Sequence, residues 1–267
     1  MNSKPIACSG VRACYLLAFF CLFLDSDAVA QEKKLDRFVT WSFQDAGALA
    51  RVVLPRIPAY SIVGFAALST GARIDEPFQD EVMESYENEK FFRSYLNFTN
   101  EIGSSNMRLP VAGFFAATLL TNNHKLQDAA FTSFQTLIYS NVMTLTLKHT
   151  FGRHRPDENA GAFRFEPLSR HSSFPSGHVT TAVAIITPWV LYYPGPVTYS
   201  LFALSAGTAL ARMGLNKHWP TDVLAGAAIG FFTGRFLTHR HQQKIPSRNV
   251  NISTSATANS IVFTARW

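Results

Sequence analysis

Residues 179–211 read VTTAVAIITPWVLYY, then PGP, then VTYSLFALSAGTALA: two runs of 15 residues with no Asp, Glu, Lys, Arg or His, separated by Pro194-Gly195-Pro196. The length and the Ala and Leu content favour helix, and a Pro-Gly-Pro break is what a tight corner between two helices requires. Working outward, four more stretches lack ionisable side chains: Ile57 to Ala72, Leu109 to Asn123, Ala129 to Leu147, and Val223 to Gly234. The expected fold class is therefore all-α, a six-helix bundle. Stretches of this size correspond to roughly 18–28 Å of helix at about 1.5 Å per residue, mostly short of a hydrocarbon core of about 30 Å, so buried core helices fit as well as membrane spans.

Composition agrees with a packed domain. The 267 residues are 47% apolar and 16% charged, with a net charge of +6. The mean hydropathy of +0.06 is high for a soluble protein and low for one made mostly of lipid-facing helices. Lys4 and Arg12, the apolar run Tyr15 to Leu24 and the small residues Ala28-Val29-Ala30 are ordered as in a secretory signal peptide, residues 1–30, with Gln31 opening the mature chain. An uncleaved anchor is the competing reading. All three cysteines (Cys8, Cys14, Cys21) fall in this leader, which excludes disulfide and thiolate chemistry from residues 31–243, the expected helical domain. Asp75 to Glu101 reads as an acidic connector with a solvated helical face. Residues 244–267 read as a polar tail, irregular or β-like.

An up-and-down arrangement of six helices places the end of the third, the start of the fourth, the end of the fifth and the start of the sixth at one pole. The chain's ionisable clusters fall at those places. The first runs from Lys148 to Arg155-Pro156, where the cations also suit the dipole of a helix C-terminus. Phe174-Pro175-Ser176-Gly177-His178 precedes the fourth helix. Its Ser176 and Gly177 can offer hydroxyl and N–H donors to an anion or simply cap the helix, while a histidine in the first turn suits a proton donor. Arg212 to Asp222 bridges the last two helices; Asp222 lies four residues beyond His218, within reach of its ring, and Pro220 favours a helical first turn. Such a carboxylate fixes the imidazole tautomer and makes the other nitrogen a better nucleophile. His149, His154 and His171 crowd the same region, but their spacing matches no zinc motif and the nearby cations disfavour a dication. Phe163, Phe165, Phe174 and Trp219 are available as an apolar rim or as ordinary packing.

Together the clusters resemble the three-part signature of the type 2 phosphatidic acid phosphatase superfamily, which includes bacterial acid phosphatases and vanadium-dependent haloperoxidases. The spacings agree from Lys148 to Asp222; Ala211 stands where these proteins commonly have Ser. The resemblance implies a metal-independent phosphomonoesterase of the cell envelope. In it His218 is the nucleophile that becomes phosphohistidine, Asp222 orients it and His178 protonates the leaving alcohol. Lys148, Arg155, Ser176, Gly177 and Arg212 hold the phosphoryl oxygens. No metal and no cofactor is implied, and the expected partner is a lipid phosphate or small phosphate ester.

Two other readings compete. A vanadate-dependent haloperoxidase would use the same cage, with His218 ligating vanadate. A non-catalytic phosphate- or lipid-binding envelope protein would need the cations but neither histidine. Nucleic acid is not an expected partner, because the basic residues collect around a compact site and form no stripe. If all six helices span, the site falls on the cytoplasmic side, whereas the membrane enzymes of this resemblance usually act on the outer side. The expectation is an exported, periplasmic or membrane-associated bundle in contact with a membrane surface, with Ser133, Gln135, Ser140 and Asn141 as polar insertions that disfavour lipid exposure.

Overall fold

The computed structural model describes residues 31–244, 251–257 and 260–266; the expected leader lies outside them. Among the described residues eight α-helices, not six, follow in order: α1 (Gln31–Val53), α2 (Ile57–Asn88), α3 (Lys90–Ile102), α4 (Arg108–Thr118), α5 (His124–Phe151), α6 (Gly177–Tyr192), α7 (Pro196–Gly214) and α8 (Pro220–Lys244). Each of the six ion-free stretches lies largely within one of these helices. The two extra helices are amphipathic: α1 buries Phe38, Trp41 and Asp45, and α3 buries Leu96 and Thr99, while their other faces are largely exposed. Charged residues interrupt both, so a search for uncharged runs passes over them.

Local chemistry sets the ends. Asn123 caps α5 by accepting the Leu126 N–H at 3.0 Å. Pro196 and Pro220 open α7 and α8, where a missing N–H costs nothing. At the chain's end β1 (Asn251–Thr257) and β2 (Ser260–Arg266) pair antiparallel, with Asn251 opposite Arg266.

Helices α5, α6 and α8 form the centre of the bundle. Near one end Val82, Val179, Val183, Met213 and Val223 pack together; elsewhere Phe38, Trp41 and Phe131 form an aromatic cluster with Phe115 and Leu119. Each fully buried large apolar side chain contributes about 1.5–3 kcal/mol. The polar insertions of α5 face inward and are bonded within the bundle. Ser133 donates to the Ile185 carbonyl at 2.7 Å, Ser140 to that of Thr136 at 2.7 Å, and Asn141 to that of Leu137 at 2.8 Å. Gln135 is buried as well and donates to Tyr139 Oη at 3.3 Å; because these side chains turn inward, they carry no argument about lipid. On the outer side of α5, Ile138, Val142 and Leu145 are exposed at helical spacing. Among the described residues, no helix is long and apolar enough to cross a membrane.

The acidic connector is helical and its acidic side chains are exposed, with one exception. Asp75 is fully buried, and its reading as part of a solvated face is corrected below.

Candidate active site

Four helix ends build the site. Lys148 lies in the last turn of α5, which stops at Gly152 in a left-handed conformation (φ 54°) that a residue with Cβ rarely adopts. A side chain at Gly152 would also collide with the Glu166 carbonyl, so the return of the α5–α6 loop across this position requires glycine. Arg155 follows, just before a short 3-10 turn, Pro156–Glu158. Ser176 occupies the N-cap of α6, Gly177 and His178 begin that helix, and Arg212 lies in the last turn of α7. His218 precedes α8, and Asp222 stands in its first turn.

Asp222 is fully buried and is the hub of the site. Its Oδ1 accepts from Arg153 Nη1 at 2.7 Å, and its Oδ2 from Ser173 Oγ at 2.5 Å and the Trp219 N–H at 2.9 Å. His218 Nδ1 faces Oδ2 at 3.7 Å, beyond hydrogen-bond length. The Asp222 carbonyl accepts the Ser176 N–H at 2.9 Å, which ties the start of α6 to that of α8. Lys148 Nζ donates to the Ser172 carbonyl, Arg155 Nη2 to Ser172 Oγ at 3.2 Å, and Arg212 Nη1 to Asn100 Oδ1 at 3.3 Å.

Three buried polar atoms of this region make no hydrogen bond among the described residues: Ser176 Oγ, Arg212 Nε and His218 Nδ1. Buried polar atoms are nearly always paired, so three orphans on residues of one pole mark a place shaped for something other than stability. Ser176 stands at an N-cap, yet its hydroxyl makes no capping bond, which removes the simple capping role.

The electrostatics follow from burial and crowding. Burial pushes His218 down to about 3, with Asp222 opposing and Lys148 and Arg212 adding to the shift. It likewise lowers His178 to about 4, helped by Arg212, Lys148 and Arg155. Lys148 falls to about 8, through burial and then repulsion from Arg155 and Arg212, against the pull of Asp222. Burial and Arg155 lower Arg212 to about 10, so it stays charged at neutral pH. Burial alone would raise Asp222, but His218, Arg153 and Ser173 outweigh it and hold the carboxyl below its usual range. These mutual influences place Lys148, Arg155, His178, Arg212, His218 and Asp222 together. The arrangement offers fixed positive charge, a neutral imidazole backed by a carboxylate, and a second neutral imidazole.

The sequence reading passed over several supports. Arg153, inside the first cluster, is fully buried and bridges Asp222 to Asp75 at 2.7 and 2.6 Å. Asp75 also accepts from the N–H and hydroxyl of Thr221 at 2.9 and 2.7 Å, which anchors α2 to the first turn of α8. Its place at the head of an acidic run hid it, and only the burial of its helix face distinguishes it. Trp219 and Phe174 are buried: Trp219 packs with Ala72 and Ala162 and donates its indole N–H to the His154 carbonyl. Of the proposed apolar rim, Phe163 is exposed and Phe165 half-buried. His149 is exposed, whereas His154 and His171 stack on each other beside Glu158 and Glu166.

Residues 129–246 match the family model described as PAP2 superfamily. Over 102 residues it is 37% identical to a lipid A 1-phosphatase of Rhizobium johnstonii, a match covering 36% of this chain and 41% of that one. Over 97 residues it is 34% identical to a decaprenylphosphoryl-5-phosphoribose phosphatase of Mycobacterium tuberculosis, covering 36% of this chain and 51% of the relative. The chain thus spans about half, or less, of the length of these relatives. The fold is similar to the crystal structure of the first transmembrane PAP2 type phosphatidylglycerolphosphate phosphatase from Bacillus subtilis. The TM-score is 0.54 at 20% identity, over 72% of this chain and 100% of that one.

Proposed function

We propose that this chain is a phosphatase that hydrolyses a phosphate monoester carried on a lipid, through a phosphohistidine at His218. The observation that carries the reading is a buried imidazole held unprotonated beside a carboxylate, among cations that repel a proton and attract a phosphoryl group. Phosphoryl transfer asks for positioning and for charge stabilisation around the equatorial oxygens. Lys148, Arg155 and Arg212 supply the charge, and Ser176 and the Gly177 N–H supply donors at a helix N-terminus. Asp222 lies on the Nδ1 side of His218, which leaves Nε2 to attack phosphorus in line as the bond to the leaving alkoxide breaks. His178 gives that alkoxide a proton. Water then attacks the phosphohistidine, with His178 taking the proton back, and releases phosphate and free His218.

The free His178 titrates near 4, as a general base would, but a bound phosphate dianion is an opposite charge and raises it toward the range in which it can donate. In this mechanism the three cations occupy the role a metal plays in other phosphatases. The relatives' names, lipid A 1-phosphatase and decaprenylphosphoryl-5-phosphoribose phosphatase, support a lipid-borne phosphate. The exposed Ile138, Val142 and Leu145 give the bundle an apolar face for a membrane surface. An exported, envelope-associated placement, with a leader over residues 1–30, a helical domain over 31–243 and a separate tail, belongs to the same proposal.

The test is phosphate release from a lipid phosphate and from an aryl phosphate, with chelator present, well below the unfolding temperature, alongside rapid-quench trapping of labelled protein. The expected result is release that favours the lipid ester and an acid-labile, base-stable phosphoprotein, both missing in His218→Ala. Turnover that persists in His218→Ala overturns the mechanism.

A further inference from the structure

Asp75 in α2, Arg153 just after α5 and Asp222 in the first turn of α8 form a fully buried row of charges. Arg153 Nη2 meets Asp75 Oδ2 at 2.6 Å, and Nη1 meets Asp222 Oδ1 at 2.7 Å. Nη1 also donates to Thr221 Oγ1 at 2.7 Å, while Nε and Nη2 both donate to the Ala162 carbonyl, at 3.0 and 2.7 Å. Every guanidinium N–H therefore has an acceptor. The rings of Phe165 and Trp219 flank the group at 5.3 and 5.6 Å.

Resting on the phosphohistidine reading above, we propose that Asp75 is a positioning residue: through Arg153 it keeps a net negative charge on the Asp222 cluster, which supports the positive charge His218 gains on phosphorylation. As Nε2 bonds to phosphorus and the bond to the leaving alkoxide breaks, His178 protonates the alkoxide and Nδ1 of His218 keeps its own proton. The ring then passes from neutral to cationic. Burial makes a cation costly there unless negative charge stands close. His218 Nδ1 lies 3.7 Å from Asp222 Oδ2 and makes no hydrogen bond among the described residues, so the support comes through charge and not through a formed bond. Paired with Arg153 alone, Asp222 would present the ring with a neutral ion pair. A second carboxylate on the same guanidinium restores the charge: two carboxylates against one cation. The field of Asp222 reaches the cage, since it pulls both Lys148 and His218 upward against the lowering by burial.

A tie between helices does not by itself call for this arrangement. Thr221 already holds α8 to α2, because its N–H and hydroxyl donate to Asp75 at 2.9 and 2.7 Å. Asp222 Oδ2 is already fixed by Ser173 and the Trp219 N–H. A neutral donor would satisfy Oδ1 equally well. A cation at Oδ1 cancels the charge that His218 needs, and a second buried carboxylate behind that cation gives it back. Asp75 and Arg153 thus act through Asp222, without touching the phosphoryl group.

The test compares Asp75→Asn, Thr221→Val and the double variant Asp75→Asn/Arg153→Gln in the full chain, each below its own unfolding temperature. The readouts are kcat, inhibition by inorganic phosphate and the rate of phosphoprotein formation by rapid quench. Asp75→Asn keeps the shape of the side chain and should lower kcat and phosphoprotein formation roughly 10–100-fold, as loss of one nearby charge does in a partly screened interior. Inhibition by phosphate should hold or tighten, because the cage keeps its cations. Thr221→Val loosens the tie between α2 and α8 with every charge in place; it should lower the unfolding temperature but cut kcat less than about threefold. Removing the cation together with Asp75 returns a net negative charge to Asp222, so the double variant should form phosphoprotein roughly tenfold faster than Asp75→Asn. A purely structural role gives the reverse order. An unchanged kcat in Asp75→Asn, a Thr221→Val as slow as Asp75→Asn, or a folded double variant no faster than Asp75→Asn would each overturn the proposal. Should the double variant fail to fold, the comparison of Asp75→Asn with Thr221→Val decides alone. Turnover that persists in His218→Ala is a separate failure, that of the phosphohistidine reading itself.

Discussion

Helix α8 has a buried His–Asp pair near each end, and the two pairs are finished differently. At its C-terminal end His241 Nε2 lies 2.7 Å from Asp45 Oδ2, and Nδ1 lies 2.7 Å from Thr132 Oγ1. The ring stacks on Trp41 with centroids 4.3 Å apart, and Arg240 completes Asp45 at 3.0 Å. Hydroxyl, imidazole and carboxylate stand in the order of a nucleophilic triad, yet Thr132, His241 and Asp45 are all fully buried. At the N-terminal end His218 sits 3.7 Å from its carboxylate, without a hydrogen bond at Nδ1 and facing cations. The pair with ideal geometry is the structural one, because hydrogen bonds and stacking stabilise it. The pair to which we assign the phosphoryl transfer is the one left unfinished, with its charge balance set against protonation.

The sharpest way to break this comparison is to remove each histidine in turn. His218→Ala should lower kcat by about 10⁴-fold or more while the protein remains folded, because the nucleophile is gone. His241→Ala should leave turnover per folded molecule within about twofold. It should cost about 2–4 kcal/mol, seen as a fall of roughly 5–15 °C in unfolding temperature, because Asp45 loses a close partner. Equal losses of activity in the two variants would erase the distinction.

The next effect sharpens the acid–base roles. His178→Gln should lower turnover about 10²–10⁴-fold for alkyl phosphates and less for aryl phosphates, whose leaving groups need a proton less. In the free enzyme His178 must hold its proton, and it loses it as pH rises through about 4, so kcat/KM should fall on that limb. Bound substrate is negative, favours the protonated form and raises this value, so the corresponding limb of kcat should lie at higher pH. Coincident limbs would show that His178 does not face the phosphoryl group.

Lys148 supplies a smaller, opposite test. It titrates near 8, so the cage loses one positive charge as pH rises through that value and KM should climb. In Lys148→Arg the charge persists and the climb should flatten, whatever the variant does to kcat. An unchanged climb in Lys148→Arg would assign it to another group.

Much of this site was legible in the sequence because its parts are short-range. Ser176-Gly177-His178 and His218 through Asp222 each lie at one helix start, so spacing alone places them. The convergence of four helix ends followed from alternation, since the two helices that spacing missed, α1 and α3, fall before the four that carry the motifs. Arg153, Asp75 and the His154–His171 pair were not legible. Their partners lie 69, 78 and 17 positions away, respectively, in the buried ion pairs and the stacked loop. Burial and loop return are tertiary facts, and the residue types alone read equally well as solvated charge. The polar residues of α5 were legible as polar insertions but not as what they do: they turn inward, bonding within α5 and across to α6.

The weakest perturbation tests whether the two ends of α8 are mechanically separate. Where α8 crosses α6 the backbones approach closely. A Cβ on Gly226 would stand 2.5 Å from the Ser176 carbonyl, and one on Gly234 would stand 2.9 Å from Thr187. Gly226→Ala and Gly234→Ala should each cost about 1–3 kcal/mol through overpacking. Their effects on turnover should differ: the first pushes on Ser176, whose amide is tied to Asp222, and displaces the phosphate donors, whereas the second pushes on a methyl-lined contact farther along α6. A misplacement of even a fraction of an ångström in the cage is expected to lower kcat/KM by roughly tenfold. Gly234→Ala should leave kcat/KM unchanged below its unfolding temperature. Matched losses in both variants would mean that α6 and α8 transmit a push along their whole contact, and the satisfied end would then take part in positioning the reactive one.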